Sequence, residues 1–422
     1  MRAATLLRLF LVCLLYTGLA HAQAELTIEQ ITFGPKHHFF GYIGQCRTIP
    51  WNASGRYILS LETDFQDRMT EPNEPATIVL LDTQDNYKPI PVAETRGWNF
   101  QQGTMFYWNP RAPETQFFFN DRDPATGKVF CVLYDIADGL PGKRLHEFKF
   151  DDTPVGNGGV AQNGAHFLAI NYARMARLRP VTGYPGANDW TVGVNAPADD
   201  GIFIIDVETG AKRLLVSFEK LRDTLAPTHP GIADKPLFIN HTLWSRDDSL
   251  IYFYARGEFE TKERVNVPFT IRPDGSELTP LTAFIGGHPE WLSGHELIGS
   301  AKFGGENKRQ VVYDVKAAAI TRAFGEADTF PDPEGDISLS PNGEWLANGF
   351  RKGGVTRYVI YGVNTGAVRN VTGFAQTGYT TGELRVDPSP CWNRESTAIL
   401  FPSLSNDEAK TRQIFVVRGL DK

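Results

Sequence analysis

Cysteine and methionine are both scarce, with four of each in 422 residues. Four cysteines are too few for a disulfide scaffold or a Cys-rich zinc module. Positive charge is also short: 42 Lys and Arg against 49 Asp and Glu give a formal net charge of −7, which argues against a nucleic-acid binder. Beyond the N-terminus no apolar run is long enough to span a membrane, and no segment has the pattern of a long amphipathic helix. Gly-x-Ser-x-Gly does not occur, so a serine peptidase with an α/β-hydrolase domain is not expected. Gly-x-Gly-x-x-Gly, a P-loop, His-Glu-x-x-His and an EF-hand loop are missing too. What remains is an ordinary globular composition, 41% hydrophobic and 22% charged, with 28 Phe and 40 Gly.

The first 22 residues read as a signal peptide. Arg2 and Arg8 flank an apolar stretch to about Leu15, and Ala20-His21-Ala22 has the small-x-small form of a cleavage site. Its removal takes Cys13 away and makes the chain still more acidic, so a secreted or periplasmic location is expected. Cys46 and Cys391 fall in the first and last repeats, where a disulfide between them is one option.

From there to residue 422 the chain reads as one domain built of repeats. A short pattern recurs seven times: an aromatic or apolar anchor, a few small or polar residues, a turn, then a β-rich run. The anchors are Trp51, Trp108, Val160, Trp244, Trp291, Leu339 and Trp392. Each is followed by an apolar strand such as Tyr57–Leu61, then a second such as Ile78–Asp82. Seven copies of a unit that cannot bury both faces alone predict an all-β fold, a seven-bladed β-propeller of four-stranded blades. The last copy is one strand short. The alternating Leu26, Ile28, Ile31 and Phe33 can supply that strand and close the ring.

In a propeller the innermost strand of each blade lines a central channel. Three residues before each anchor lie Thr48, Met105, Asn157, His241, His288, Asp336 and Ser389. Three consecutive blades thus offer His241, His288 and Asp336 at one depth, with Glu334 two residues further back on blade six and Asp387 two residues further back on blade seven. Imidazole and carboxylate together suit a divalent metal such as Mn²⁺, or a general base with its orienting partners. His288, Asp336 and Asp387 are the candidate metal ligands and His241 the candidate base. His37 and His38 precede the first inner strand and are candidate substrate contacts. His146, His166, His229 and His295 read as structural.

The interval between the third and fourth anchors is 84 residues, and its excess includes an insertion at about 172–200. That insertion carries Tyr172, Arg174, Arg177, Arg179, Tyr184 and Trp190. Arginines beside tyrosines suit carboxylate recognition. Arg174, Arg177 and Tyr172 are therefore candidate catalytic groups, and Arg179 and Tyr184 candidate substrate contacts, with the insertion folding over the mouth that holds His241. Asn52, Asn240 and Asn370 fit the N-glycosylation pattern.

The blade turns resemble those of TolB-type propellers. Asn240-His241-Thr242-Leu243-Trp244-Ser245-Arg246-Asp247 and Leu384–Asn393 are similar to the oligogalacturonate-lyase-like propeller group. That resemblance implies β-elimination on acidic oligouronides, with a His base, an Arg and a Mn²⁺ held by His and Gln. By the same resemblance His241 matches the base strand and His288 a metal-ligand strand. The chain departs from the group where Asp387-Pro388-Ser389-Pro390 stands in place of ligating histidines, and Asp336 and Asp387 would then have to substitute. The expected partner is an acidic oligo- or polysaccharide met by a monomer, with no nucleic acid and no membrane span in the mature chain. Two other readings stay open: a non-catalytic secreted propeller binding a glycan or protein, and a glycoside hydrolase using Asp336 with Glu334 or Asp387.

Overall fold

The computed structural model describes residues 26–41, 48–258, 261–375, 378–405 and 407–420. Within them lie seven four-stranded antiparallel sheets, and each follows the repeat pattern. Blade one holds His37–Phe39, Tyr57–Thr63, Ala76–Asp82 and Lys88–Thr95. Blades two to six follow in chain order, their inner strands being Tyr107–Trp108, Gly156–Val160, Leu237–Trp244, Gly286–Trp291 and Asp336–Leu339. The chain forms the expected seven-bladed β-propeller. The central strands of each blade are buried on both faces, which is why they read as near-continuous apolar runs such as Ile251–Gly257 rather than strict alternation.

Ring closure follows the sequence reading. Blade seven takes Cys391–Trp392, Ile399–Leu404 and Arg412–Arg418 from the end of the chain, and its fourth strand, Thr27–Gln30, from the beginning. Thr27 pairs with Arg418 and Gln30 with Phe415. The Ile31 N–H then donates to the Ile414 carbonyl at 2.9 Å. Leu26 and Ile28 pack on the apolar cluster of blades six and seven, whereas Phe33 is exposed.

Neighbouring blades are tied by the anchors. The indole N–H of Trp108 donates to the Pro50 carbonyl of the preceding blade at 2.7 Å. Trp244 does the same to Gly159 at 3.1 Å, Trp291 to Leu243 at 3.0 Å and Trp392 to Ser338 at 3.0 Å. A buried indole needs a partner for its single donor, and the inner strand of the adjacent blade provides one.

Two short α-helices interrupt the β pattern, one between the second and third strands of blade three and one between blades three and four. Helix α1 (Tyr172–Leu178) begins the insertion, and α2 (Phe218–Leu225) follows blade three's outer strand. Among the described residues no helix is long and apolar enough to cross a membrane. The signal-like segment and Cys46 lie outside the described residues, while Cys391 is buried on blade seven. Asn52 and Asn240 are buried, so of the three sequons only Asn370 is exposed.

Ile31 is 2% exposed and joins the closing strand to the core. Ile31→Ala should destabilise the protein by about 2–4 kcal/mol through the cavity it leaves. Equilibrium denaturation checks this, and a loss under 1 kcal/mol would mean the closing strand does not hold the ring.

Candidate functional site

A cavity of about 240 Å³ opens at one mouth of the central channel. The shape of this mouth depends on a segment that leaves its blade. Between the outer strand of blade one and the inner strand of blade two, Asn99–Gly103 forms a tight turn with reciprocal backbone bonds of 3.1 and 3.0 Å. The Oδ1 of Asn99 accepts the N–H groups of Gln101 and Gln102, holding the turn from inside. The turn then reaches across the ring. The Gln102 amide donates to Asn240 on blade four at 3.2 Å, and the Gln101 amide to Asp387 on blade seven at 2.9 Å. The buried Arg412 of blade seven donates to the Phe100 carbonyl at 2.8 Å. Gly103 is required here: a Cβ on it would lie 2.6 Å from the Phe40 carbonyl oxygen, and its φ is +60°. Gln101 and Gln102 so become part of the cavity wall.

His241 and His288 line the same cavity. Blade four's inner strand breaks register between Asn240 and Leu243, and His241 sits in that bulge with φ 57°. Bulges re-aim side chains at the cost of a ladder pair. Asn240 fixes the bulge by accepting the His241 N–H at 2.9 Å. The two imidazole centroids are 5.3 Å apart, and the edge of Tyr254 meets His241 at 5.9 Å. Enclosure by protein, then Arg256, His288 and Arg179, push the His241 pKa well below 6.5, so this imidazole is neutral. His288 has a different partner: its Nδ1 lies 2.6 Å from Oδ1 of Asp336. The other oxygen of Asp336 accepts the Ser389 N–H at 2.9 Å. Burial opposes ionisation of Asp336, but the charge and hydrogen bond of His288, the Ser389 N–H and Arg351 together hold its pKa below the usual range.

The cavity is cationic. Among the described residues, Arg179, Arg256, Arg264 and Arg385 line it against a single carboxylate, Glu334. Arg256 lies over the Tyr254 ring at 4.3 Å, with its Nε bonded to Asn266 at 2.9 Å. Arg385 is steered by Asp387, 3.0 Å from its Nε. Arg179 reaches the cavity because α1 ends there. Pro180 disfavours helical backbone at the preceding residue, and Arg179 turns away at φ −154°.

The other insertion residues do different work from that expected. Arg174 is buried and spends its guanidinium on the chain, donating to the carbonyls of Leu237, Val194 and Asn195 and to Thr191. It braces the insertion and does not reach the cavity. Arg177 points to Asp189 at 2.8 Å, on the exposed side of the helix. Tyr172 and Tyr184 stack with centroids 4.3 Å apart in the core, and their hydroxyls meet the Asn157 carbonyl and the Asn120 amide. Only Arg179 of this group belongs to the site. His38 is buried between Gln413 at 3.0 Å and Glu62 at 3.1 Å, a clasp across the closure of the ring. The Nδ1 of His37 accepts the Arg412 N–H at 3.1 Å. Neither histidine lines the cavity.

The expected metal centre does not fit these residues. Asp387 is held by Arg351 at 3.2 Å, by Arg385 and by Gln101, so its oxygens already face cations and an amide donor. Asp336 is occupied by His288 and Ser389. Among the described residues no group of three or more His, Cys, Asp or Glu is placed to hold a metal ion. The paired-carboxylate arrangement of a hydrolase fares no better, because Glu334 is paired with Lys308 at 2.6 Å. The residues missed in the sequence are Arg256, Arg264, Arg385, Tyr254, Gln101 and Gln102. Tyr254 and Arg256 carried a local signal, as members of the period-two series Tyr252, Tyr254, Arg256.

No protein-family model matches this sequence, and no curated protein matches it significantly. The structure is similar to TolB from Acinetobacter baumannii, at 13% identity over 87% of this chain and 83% of that one, TM-score 0.41. It is similar to a putative TolB from Agrobacterium tumefaciens, at 14% identity over 93% and 97%, TM-score 0.39. The β-propeller domain of the Trilobed protease from Pyrococcus furiosus matches at 11% identity over 86% and 91%, TM-score 0.45. Its structural neighbours thus include TolB-type propellers. The seven-blade assignment itself rests on the strand pairing.

Burial is the first cause lowering the pKa of His37, His38 and His241 below 6.5. The unfolded chain therefore binds more protons than the native one below that value, and stability must fall as the pH drops through it. The melting temperature should be level above about pH 7 and decline toward pH 5, less steeply in His241→Asn, a residue that tolerates positive φ. Thermal unfolding of both proteins across this range decides it. Identical slopes would show that His241 binds its proton equally well in the folded and unfolded chain.

Proposed function

We propose that this cavity binds a carboxylate-bearing sugar and cleaves it by β-elimination, in a protein acting outside the cytoplasm. The observation that carries the reading is an imidazole, His241, sharing a cavity with four guanidiniums and lying next to a second imidazole held by a carboxylate. The chemistry asks for those parts. A uronate has a weakly acidic proton on the carbon next to its carboxylate, and removing it builds negative charge on that carboxylate. Arg179, Arg256, Arg264 or Arg385 can neutralise that charge in bidentate fashion. They fill the role a metal would otherwise take.

His241 accepts the proton as general base, since a neutral imidazole is the form able to do so. The electron pair forms the new carbon–carbon double bond as the bond to the glycosidic oxygen breaks. His288, oriented by Asp336, gives a proton to the departing oxygen. Proton exchange with solvent then restores both imidazoles. The volume lies below the roughly 300–1,000 Å³ usual for small-molecule sites, which suits one charged ring and its nearest neighbour. The N-terminal signal-like segment agrees with a substrate met outside the cytoplasm.

The unsaturated product absorbs in the ultraviolet, so a screen of uronic-acid oligo- and polysaccharides tests the reading directly. On a cleaved substrate, His241→Asn should lower kcat by about 10²–10⁴-fold with little change in KM. Arg256→Gln should impair both constants, because a carboxylate clamp serves ground and transition states alike. A chelator should leave the rate unchanged. Rate loss on chelation would restore the metal reading. New reducing ends without absorbance would make the protein a hydrolase, and binding with neither signal would make it a glycan-binding module.

A further inference from the structure

A uronate carries its charge on one carbon. The rest of its ring presents C–H bonds on its faces, and these gain nothing from a guanidinium. They are best covered by an apolar surface, and a flat aromatic ring matches a flat sugar face. Besides the two histidines, the aromatic side chains lining the cavity are Tyr254 and Phe284. Tyr254 is committed to the protein. It is 1% exposed, Arg256 lies over its ring at 4.3 Å, and its hydroxyl donates to the Ile285 carbonyl at 3.1 Å.

Phe284 is the opposite case, at 50% exposed. Among the described residues seven large apolar side chains are exposed, and of these only Phe284 lines the cavity. A single exposed phenyl is ordinary on a protein surface, but this one sits on a segment held from both sides. On one side the Thr282 N–H donates to the Tyr313 hydroxyl at 3.2 Å, and the Thr282 hydroxyl meets the same oxygen at 2.9 Å. On the other, Ile285 is fully buried and its carbonyl takes the Tyr254 hydroxyl. The Phe284 ring lies 6.3 Å from that of Tyr254. Gly286 leaves room for it, since a Cβ there would stand 3.3 Å from Phe284 Cε1. Gly286 also opens the inner strand that carries His288. The ring is therefore in place before a ligand arrives, and stacking on it needs little further ordering.

We propose that Phe284 is the stacking platform for a sugar ring in this cavity, so that the site selects a pyranose over an open-chain acid of the same charge. The proposal rests on the reading of the cavity as a site for a carboxylate-bearing sugar. It adds the part of that sugar which the arginines do not read.

The test is calorimetric titration of the full chain with methyl galactopyranosiduronate and with galactonate, an open-chain acid of the same single charge. The ring should bind about tenfold more tightly than the chain. Phe284→Ala should bring that ratio to about one by weakening the ring alone, and Phe284→Trp should keep it. Arg256→Gln should weaken both acids alike. Melting temperatures confirm that each variant is folded. Neither titration needs turnover, so the platform and the reaction can fail separately. A ring preference lost in Phe284→Ala, with no elimination on any uronate, would uphold the platform and overturn the reaction. Elimination with the preference kept in Phe284→Ala, or equal affinity of the unaltered protein for the two acids, would overturn the platform alone. No binding of either acid would overturn both.

Discussion

The bond from an anchor indole to the inner strand of the preceding blade is the constraint on which the rest depends. A blade alone leaves two apolar faces in water, and stacking seven of them buries both. Stacking must also have a register, or the inner strands would slide along the channel axis. The indole N–H, a single donor on a large buried ring, fixes that register at Trp108, Trp244, Trp291 and Trp392. Blade six has Leu339 in the anchor place, and there the Leu339 N–H donates to the Glu290 carboxylate of blade five at 2.7 Å instead; with blades four, five and six so held at one height, His241, His288 and Asp336 meet.

The site is made by exceptions to this regularity. A bulge turns His241 out of its ladder. A turn on the connection from blade one to blade two crosses the channel to blades four and seven. A helix stopped by Pro180 releases Arg179 from the face that holds Arg174. Each device costs backbone regularity, and each is held by buried polar bonds from another blade. A rigid ring can sustain such local costs because its core is already complete without them.

Electrostatics then separates two chemically identical side chains. His241 faces arginines and is neutral, whereas His288 faces an ionised, buried Asp336. Placing one imidazole among cations and the next against an anion gives base and acid different partners within 5.3 Å. The excess of acidic residues over the whole chain gives no hint of this. Net charge is a sum over the surface, and the cavity gathers four of its arginines from three distant stretches of sequence.

The fold and the meeting of His241, His288 and Asp336 were legible in the sequence, because both follow from the repeat. Blade number, strand order and the closing strand are set by a local pattern that recurs, and equivalent positions in equivalent blades must share a depth. The roles of Arg174, Arg177, Tyr172, Tyr184, His37 and His38 were not legible. Composition marks a loop as rich in Arg and Tyr, but which of them turn inward is set by where a helix stops and which carbonyls lie within reach. The metal set failed for the same reason. Asp387 has the right charge for a ligand, yet Arg351, Arg385 and Gln101 converge on it from elsewhere in the chain. The pattern of one chain segment determines the repeating unit, and the neighbours each side chain meets across the ring are decided only when the ring closes.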